Sequence, residues 1–328
     1  MRFSASLVPP MPEPGVREAL AAWGLQDSPV ALIAARENRV FRVDGPDGPL
    51  VLRLHRRGYR SPAELTSELD WMAELTRAGV RVPQPIPAQD GRRCVIVGRR
   101  LADMLTFLDA LPLVADGQWN ATADPARCAH RLGATLARLH DLSDLWRRPE
   151  GFTRPHWDAA GLVGFAPLWG RFWENPALID RQVRLFSDLR DRVASDLAAL
   201  GPNLDYGLIH ADAVPENVLV APDGVFLIDF DDGGFGFRLF DLATTANRLD
   251  RHDPTGASGR QFLQGYLQTR PIDLTALPLF RVLRALTYVG WVISRLHEPG
   301  AKARCTRFIA EAEQRALAFL ERDQGLPA

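Results

Sequence analysis

The stretch Leu208-Ile209-His210-Ala211-Asp212-Ala213-Val214-Pro215-Glu216-Asn217-Val218-Leu219-Val220 is followed, after a turn, by Phe226-Leu227-Ile228-Asp229-Phe230-Asp231-Asp232. An apolar run ends in a loop that presents Asp212, and Asn217 opens the short strand Val218–Val220. Ala221-Pro222-Asp223-Gly224 is a good turn sequence, after which Val225–Ile228 returns as a second strand. A hairpin sets its two ends side by side, so Asn217 and Asp229 are expected to converge beside Asp212. Those residue types suit phosphoryl transfer. A carboxylate orients the attacking hydroxyl and accepts its proton, while oxygen ligands hold magnesium against the phosphates. The plainer alternative is that all three are ordinary turn and cap residues.

Around this stretch lies a chain of 328 residues, 46% hydrophobic and 24% charged, which is globular composition with material for roughly two domains. A formal net charge of -1 gives no electrostatic footprint for a nucleic-acid partner. Cys94, Cys128 and Cys305 lie far apart with no zinc-ligand spacing, which fits a reducing, cytoplasmic compartment. Pro9, Pro10, Pro12 and Pro14 interrupt the N-terminus before a signal-peptide core can form. No membrane association is expected: the closest apolar window, Leu277–Leu296, carries Arg281, Arg284 and Arg295. Of the 39 basic residues only Lys302 is lysine, and no Gly-x4-Gly-Lys-Ser/Thr loop exists.

The first hundred residues read as α+β. Val30–Ala34, Arg39–Val43 and Leu50–Leu54 are short apolar or alternating runs, the last two separated by the loop Asp44–Gly48. Ser61, Pro62 and Glu64 spell an N-cap, a first-turn proline and a capping box. The helix they open has Leu65, Leu69, Met72 and Leu75 as its apolar stripe, and Gly79 ends it. Glu68 falls within the arc of that stripe, where a carboxylate either wants a cation or sits on the stripe's wet border. Cys94–Val97 is a further strand that stops at Gly98. From Leu101 the pattern is mainly helical, clearest over Asp124–His140, Arg181–Leu200, Leu277–Leu296 and Lys302–Glu321. Two domains are expected, residues 1–100 and 101–328, joined near Gly98–Leu101.

His-x-Asp-x4-Asn, a hairpin and then Ile-Asp together resemble the signature of the aminoglycoside phosphotransferase and choline kinase superfamily. Gly236-Phe237-Arg238-Leu239-Phe240-Asp241-Leu242-Ala243 looks like that superfamily's Asp-Leu-Ala helix. The resemblance implies a two-lobed, protein-kinase-like α+β fold, with a small N-terminal sheet lobe and a larger helical lobe. It implies ATP and Mg2+ as cofactors. Asp212 would be the catalytic base, Asn217 and Asp229 metal ligands, and His210 and Asp241 supports of the loop. Asp231 is either a further metal ligand or a loop-stabilising carboxylate. On the nucleotide side, kinase-like enzymes place a cation on the third strand, paired with a helix glutamate. Arg53 holds that position in Val51-Leu52-Arg53-Leu54, where lysine is usual, and Glu68 is the expected partner. Val51 shares a strand face with Arg53 and is placed to meet adenine, with backbone contacts expected at the hinge around Gly98.

Ala35-Arg36-Glu37-Asn38-Arg39-Val40-Phe41 resembles the Asn-Arg-Val-Tyr segment of such proteins and of the bacterial stress-response kinases, with Asn38 and Arg39 over the phosphates or serving a simple hairpin. Known members act on aminoglycosides, choline, homoserine, methylthioribose or protein Ser/Thr. A small-molecule acceptor is the first expectation, a protein substrate the second, and a non-catalytic kinase-like binding protein the third. Trp169–Trp173, Asp158 and Glu174 either line an acceptor pocket or pack the core.

Overall fold

In the computed structural model, residues 15–35 and 38–324 are described. Pro9, Pro10, Pro12 and Pro14, together with Arg36 and Glu37 of the expected phosphate segment, lie outside them. The chain divides into two compact units, one extending to Ala110 and including Arg147–Thr153, the other comprising Leu111–Trp146 and the chain from Arg154.

The first unit contains α1 (Val16–Ala21), β1 (Val30–Ala35), β2 (Arg39–Gly45), β3 (Gly48–Leu54), α2 (Pro62–Arg77), β4 (Cys94–Val97) and β5 (Arg100–Thr106). Its strands form one antiparallel sheet in the order β1-β2-β3-β5-β4. Strand alternation separates two faces. Phe41, Val43, Leu52, Leu54, Val95, Val97, Ala102 and Met104 pack with Val16, Ala19, Leu20 and Trp23 from α1 and its C-terminal turn. The opposite face carries Arg53, which meets Glu68 of α2. The cap of α2 forms as the residue types dictate. Ser61 Oγ accepts from Glu64 N at 3.2 Å, and Glu64 Oε2 accepts from Ser61 N at 2.8 Å.

One expectation fails here. Gly98 is not a connector between units: Val97 pairs directly with Arg100, so Gly98 and Arg99 form a two-residue hairpin turn. The φ of +58° at Gly98 is the left-handed value that such a turn needs and glycine supplies. The strand β5 then runs on through the same sheet, and the first unit ends at Ala110, beyond residue 100.

The second unit contains β6 (Leu111–Pro112), β7 (Val114–Ala115), β8 (Gln118–Trp119), α3 (Pro125–Leu145), β9 (His156–Trp157), α4 (Ala159–Val163), α5 (Asp180–Leu200), β10 (Tyr206–Ile209), β11 (Val218–Ala221), β12 (Gly224–Leu227), β13 (Gly234–Phe237), α6 (Arg238–His252), α7 (Ala257–Thr269), α8 (Leu277–Trp291) and α9 (Ala301–Gln324). Two small three-stranded sheets, β10-β13-β9 and β12-β11-β6, hold the loop ends among the helices. The segment Leu277–Arg295 is long and apolar enough to cross a membrane by length and composition, but 67% of its apolar window is buried inside the protein. Leu279, Phe280, Leu283, Leu286 and Val289 are core residues, which accounts for that apolarity.

The helices α3 and α7 cross at two glycines. A Cβ on Gly133 would stand 2.0 Å from Phe262 O, and one on Gly265 would stand 2.0 Å from His130 O. Only bare backbone fits at either point. Gly133→Ala is therefore expected to lower stability by about 1–3 kcal/mol, the usual range for overpacking. Thermal or urea unfolding measures it, and an unchanged midpoint would mean that the crossing yields without cost.

Candidate active site

The strand β10 delivers the chain at Ile209 into a loop running to Asn217. Ala211 has φ +63°, a left-handed value for a residue with a Cβ. Such a conformation costs about 1–3 kcal/mol and persists only where surroundings impose it. Asp241, in the first turn of α6, imposes it. Its Oδ2 accepts the backbone N–H of His210 at 2.8 Å, and its Oδ1 accepts that of Ala211 at 2.7 Å. Asp241 is fully buried. Burial pushes its carboxyl above the ordinary range, and His210 and the two backbone N–H groups oppose that.

The helix α6 grips the loop along one face. After Asp241 come Thr245, whose Oγ1 donates to Ala213 O at 2.7 Å, and Arg248, whose Nε donates to Glu216 Oε1 at 2.8 Å. His252 adds a contact to the same Glu216 oxygen at 3.2 Å. Positions 241, 245, 248 and 252 share one helical face. Burial alone would raise Glu216, but the His252 hydrogen bond and the Arg248 charge bring it down to about 2. Thr245, Glu216 and Arg248 were not singled out from sequence, although the helical spacing of Thr245 and Arg248 from Asp241 is a signal that finds those two.

Asp212 is held at both oxygens. Arg284 Nη2 donates to Oδ1 at 2.7 Å and Asn217 Nδ2 donates to Oδ2 at 2.9 Å. Arg284, from α8, is fully buried, while the Asp212 side chain retains 24% exposure. Its guanidinium lies over Tyr288 at 4.3 Å, Trp169 at 4.4 Å and Phe240 at 5.4 Å from the ring centroids, and Nη2 also donates to Tyr288 Oη at 2.8 Å. Aromatic faces stabilise a desolvated cation. Burial pushes the Asp212 carboxyl above its ordinary value, and the Arg284 charge is the first influence against it. Trp169 therefore lies close to Asp212 through Arg284. Asp158 instead caps α4, accepting from Gly161 N at 2.8 Å, and Glu174 pairs at the surface with Arg171 at 3.0 Å.

The hairpin β11–β12 sets Asp229 beside Asn217. Val218 pairs with Leu227, and Ile228 N donates to Asn217 O at 3.0 Å. Asp229 itself has φ +67°. His210 links loop and hairpin: Nδ1 accepts from Asp212 N at 3.3 Å, which leaves Nε2 to donate to Ile228 O at 3.1 Å. The turn after Asp229 is clamped by buried Arg154, which donates to the carbonyls of Phe230 at 2.8 Å, Asp231 at 2.7 Å and Gly233 at 2.6 Å. Arg154 had no signal in the sequence.

No group of three His, Cys, Asp or Glu side chains able to hold a metal exists among the described residues. The Asn217–Asp229 pair is a different kind of donor set. The Asn217 amide nitrogen is committed to Asp212 O and Oδ2, so its oxygen is the atom left for a cation. An amide oxygen and a carboxylate suit magnesium, which completes its shell with phosphate oxygens and water. The residues present fit that ion.

In the first unit, Arg53 Nη2 donates to Glu68 Oε1 at 2.9 Å, and Glu68 is fully buried. Asp103 of β5 also engages Arg53, a partner that sequence reasoning missed. Val51 pairs with Leu105 on that strand and is half-buried. Asn38 Oδ1 accepts from Arg56 N at 3.2 Å, a brace across the β2–β3 strand ends. Arg39 packs over Phe41 at 5.5 Å.

Asp241 has one more support. His140 of α3 contacts its Oδ2 through Nε2 at 3.0 Å and meets Tyr266 Oη through Nδ1 at 2.7 Å. Burial, with Arg238 and Arg270 nearby, holds this imidazole well below its ordinary value of 6.5, so it is neutral when folded. A depressed histidine stabilises the fold above its unfolded value, and that contribution is lost as pH falls. Stability should therefore drop below about pH 6.5 by up to ~1.4 kcal/mol per unit. His140→Gln supplies an amide N–H for Asp241 and an oxygen for Tyr266 without a titrating proton. Its melting temperature is expected to fall less steeply between pH 6.5 and 5; an identical slope would show that other groups set it.

A family model described as the phosphotransferase enzyme family, APH, matches residues 30–280. A homoserine kinase of Acidiphilium cryptum is 26% identical over 266 residues, covering 80% of this chain and 78% of its own. Among solved structures, a microcompartment-associated aminopropanol kinase is 29% identical, with a TM-score of 0.81 over 94% of this chain and 97% of that one. An amicoumacin kinase solved with AMP-PNP and Ca2+ is 21% identical, with a TM-score of 0.73 over 91% of this chain and 92% of that one, a likeness of fold. With the mixed α+β fold and the His210–Asp229 arrangement, these matches show that the chain belongs to the phosphotransferase enzyme family, among whose members similar to it are the kinases named above.

Proposed function

We infer that this protein transfers the γ-phosphoryl group of ATP to a hydroxyl of a small molecule, with Asp212 as the base. The observation that carries the reading is the doubly held Asp212 carboxylate, fixed by Arg284 and Asn217 at the mouth of a loop that α6 locks in place. A base whose position is set in advance saves the reorganisation that a free side chain would need at the moment of reaction. The acceptor hydroxyl donates its hydrogen bond to Asp212. As its oxygen bonds to the γ-phosphorus, the bond to the leaving diphosphate oxygen breaks and the hydroxyl proton passes to the carboxylate. Asn217 Oδ1 and Asp229 would hold magnesium, which when bound would supply charge neutralisation on the phosphates. Arg53, paired with Glu68, is the phosphate-contacting cation of the first unit.

Two relatives support a first class of acceptor to test. A homoserine kinase and an aminopropanol kinase match most of this chain, and both names denote short amino alcohols. A small alcohol carrying an amino group a few bonds from the hydroxyl is therefore the acceptor class to test first. ADP release against a panel of such alcohols, with a generic protein substrate as comparison, checks it. Labelling of the protein substrate alone, lost in Asp212→Ala, would replace this reading with that of a protein kinase.

Asp212→Asn is expected to lower turnover by about 10²–10⁴-fold, the usual contribution of a general base. Its affinity for ATP, measured by calorimetry, should stay within about threefold, since the base serves the acceptor. Asp229→Ala should instead abolish the magnesium dependence of ATP binding. Normal turnover in both variants would end the assignment.

A further inference from the structure

Arg53 stands where the family resemblance leads one to expect lysine, and two carboxylates close on it. Glu68 Oε1 takes Nη2 at 2.9 Å, while Asp103 takes Nε through both oxygens, at 2.9 and 3.2 Å. The second contact is built into the sheet, because Asp103 of β5 is the register partner of Arg53 in β3. Asp103 is fully buried, and His55 Nε2 lies 2.5 Å from its Oδ2. His55 is two positions beyond Arg53, on the same side of the chain's alternation. Burial would raise the Asp103 carboxyl, but Arg53 and then His55 hold it below its ordinary value.

A guanidinium is a planar fork, so its usefulness depends on which way its plane faces. A single partner at Nη2 leaves that plane to turn. A second partner at Nε, from another direction, fixes it. An ammonium has no such plane and no Nε–H, and the same two carboxylates would simply compete with phosphate for its charge.

We propose that Asp103 is a positioning residue for nucleotide phosphate binding: it orients the Arg53 guanidinium and thereby suits the site to arginine rather than lysine. This rests on the reading of Arg53 as the phosphate-contacting cation. Asp103 acts through Arg53 and touches no ligand itself. The consequence is a sign dependence between two positions. Lysine at 53 is poor while Asp103 is present and better once it is gone, because one carboxylate fewer then competes with phosphate for the ammonium.

The test is calorimetric binding of AMP-PNP with Mg2+, and of adenosine, to the full chain. The variants are Asp103→Asn, Asp103→Ala, Arg53→Lys and the double variant Arg53→Lys/Asp103→Ala. Asp103→Asn preserves volume and an acceptor oxygen, so it decides the matter if the alanine variants fail to fold. It is expected to weaken AMP-PNP by about fivefold or more and leave adenosine within about twofold. Equal weakening of both ligands would signal a merely structural role and overturn the proposal. The double variant is expected to bind AMP-PNP more tightly than Arg53→Lys alone. Unchanged AMP-PNP affinity in Asp103→Asn, or a folded double variant no better than Arg53→Lys, would also overturn it. If the unsubstituted protein binds adenosine but shows no added affinity for AMP-PNP, the phosphate role of Arg53 falls, and this inference with it. If it binds neither, the ATP reading itself is wrong.

Discussion

The carboxylate of Asp241 accepting two consecutive backbone N–H groups is the interaction on which the loop around Asp212 depends. The left-handed turn at Ala211 swings Asp212 away from the line of β10, and a residue with a Cβ does not hold that turn unaided. Two charge-assisted hydrogen bonds to a buried carboxylate offset its cost. The position of Asp241 in the first turn of α6 adds the favourable interaction of an anion with a helix N-terminus. The same helix, one and two turns on, supplies Thr245 and Arg248. The loop is therefore fitted to one rigid helix face at several points, and its conformation follows that face.

Arginine chemistry replaces lysine chemistry throughout. With one lysine in the chain, the cations that order both units are guanidinium groups. Arg284 is buried among three aromatic rings and holds Asp212. Arg154 engages three carbonyls of a single turn, and Arg53 joins two carboxylates. Arg154 and Arg53 each exploit two nitrogens set at fixed angles, which an ammonium lacks, while Arg284 serves Asp212 and Tyr288 from Nη2 alone and sets its plane against the rings. Burying such groups is costly unless the donors are met, and their placement tracks where acceptors converge.

Local rules reached the hairpin, the capping box of α2 and the Glu68 contact, because spacing along one element decides all three. The ends of β11 and β12 meet as a short turn requires, and Glu68 meets Arg53 because a carboxylate in an apolar stripe must find a cation. The strand β5 escaped notice for the converse reason. Asp103 interrupts its apolar pattern, and that charge is tolerated because Arg53, 50 positions earlier, lies opposite and His55 meets its second oxygen. Without β5 in view, Gly98 read as a connector, although its conformation is that of a hairpin turn. Arg284 and His140 reach Asp212 and Asp241 across separations of 72 and 101 residues. No periodicity in a single chain encodes such meetings; they follow from how the helices pack.

That packing has a definite origin. Gly133 and Gly265 let α3 and α7 approach until backbone meets backbone. His140 lies two turns beyond Gly133 on α3, and Tyr266 adjoins Gly265 on α7. The close crossing is thus what brings the imidazole and the phenol together, and the imidazole then reaches Asp241. A neutral ring in this place orders the carboxylate by hydrogen bonding and leaves its charge uncancelled for the loop N–H groups. Helix packing therefore extends, through one side chain, to the carboxylate that sets the backbone before Asp212. A substitution that widens the crossing acts on the loop without touching it, and the stability of the unit and the geometry of the site are for that reason not separable properties of this chain.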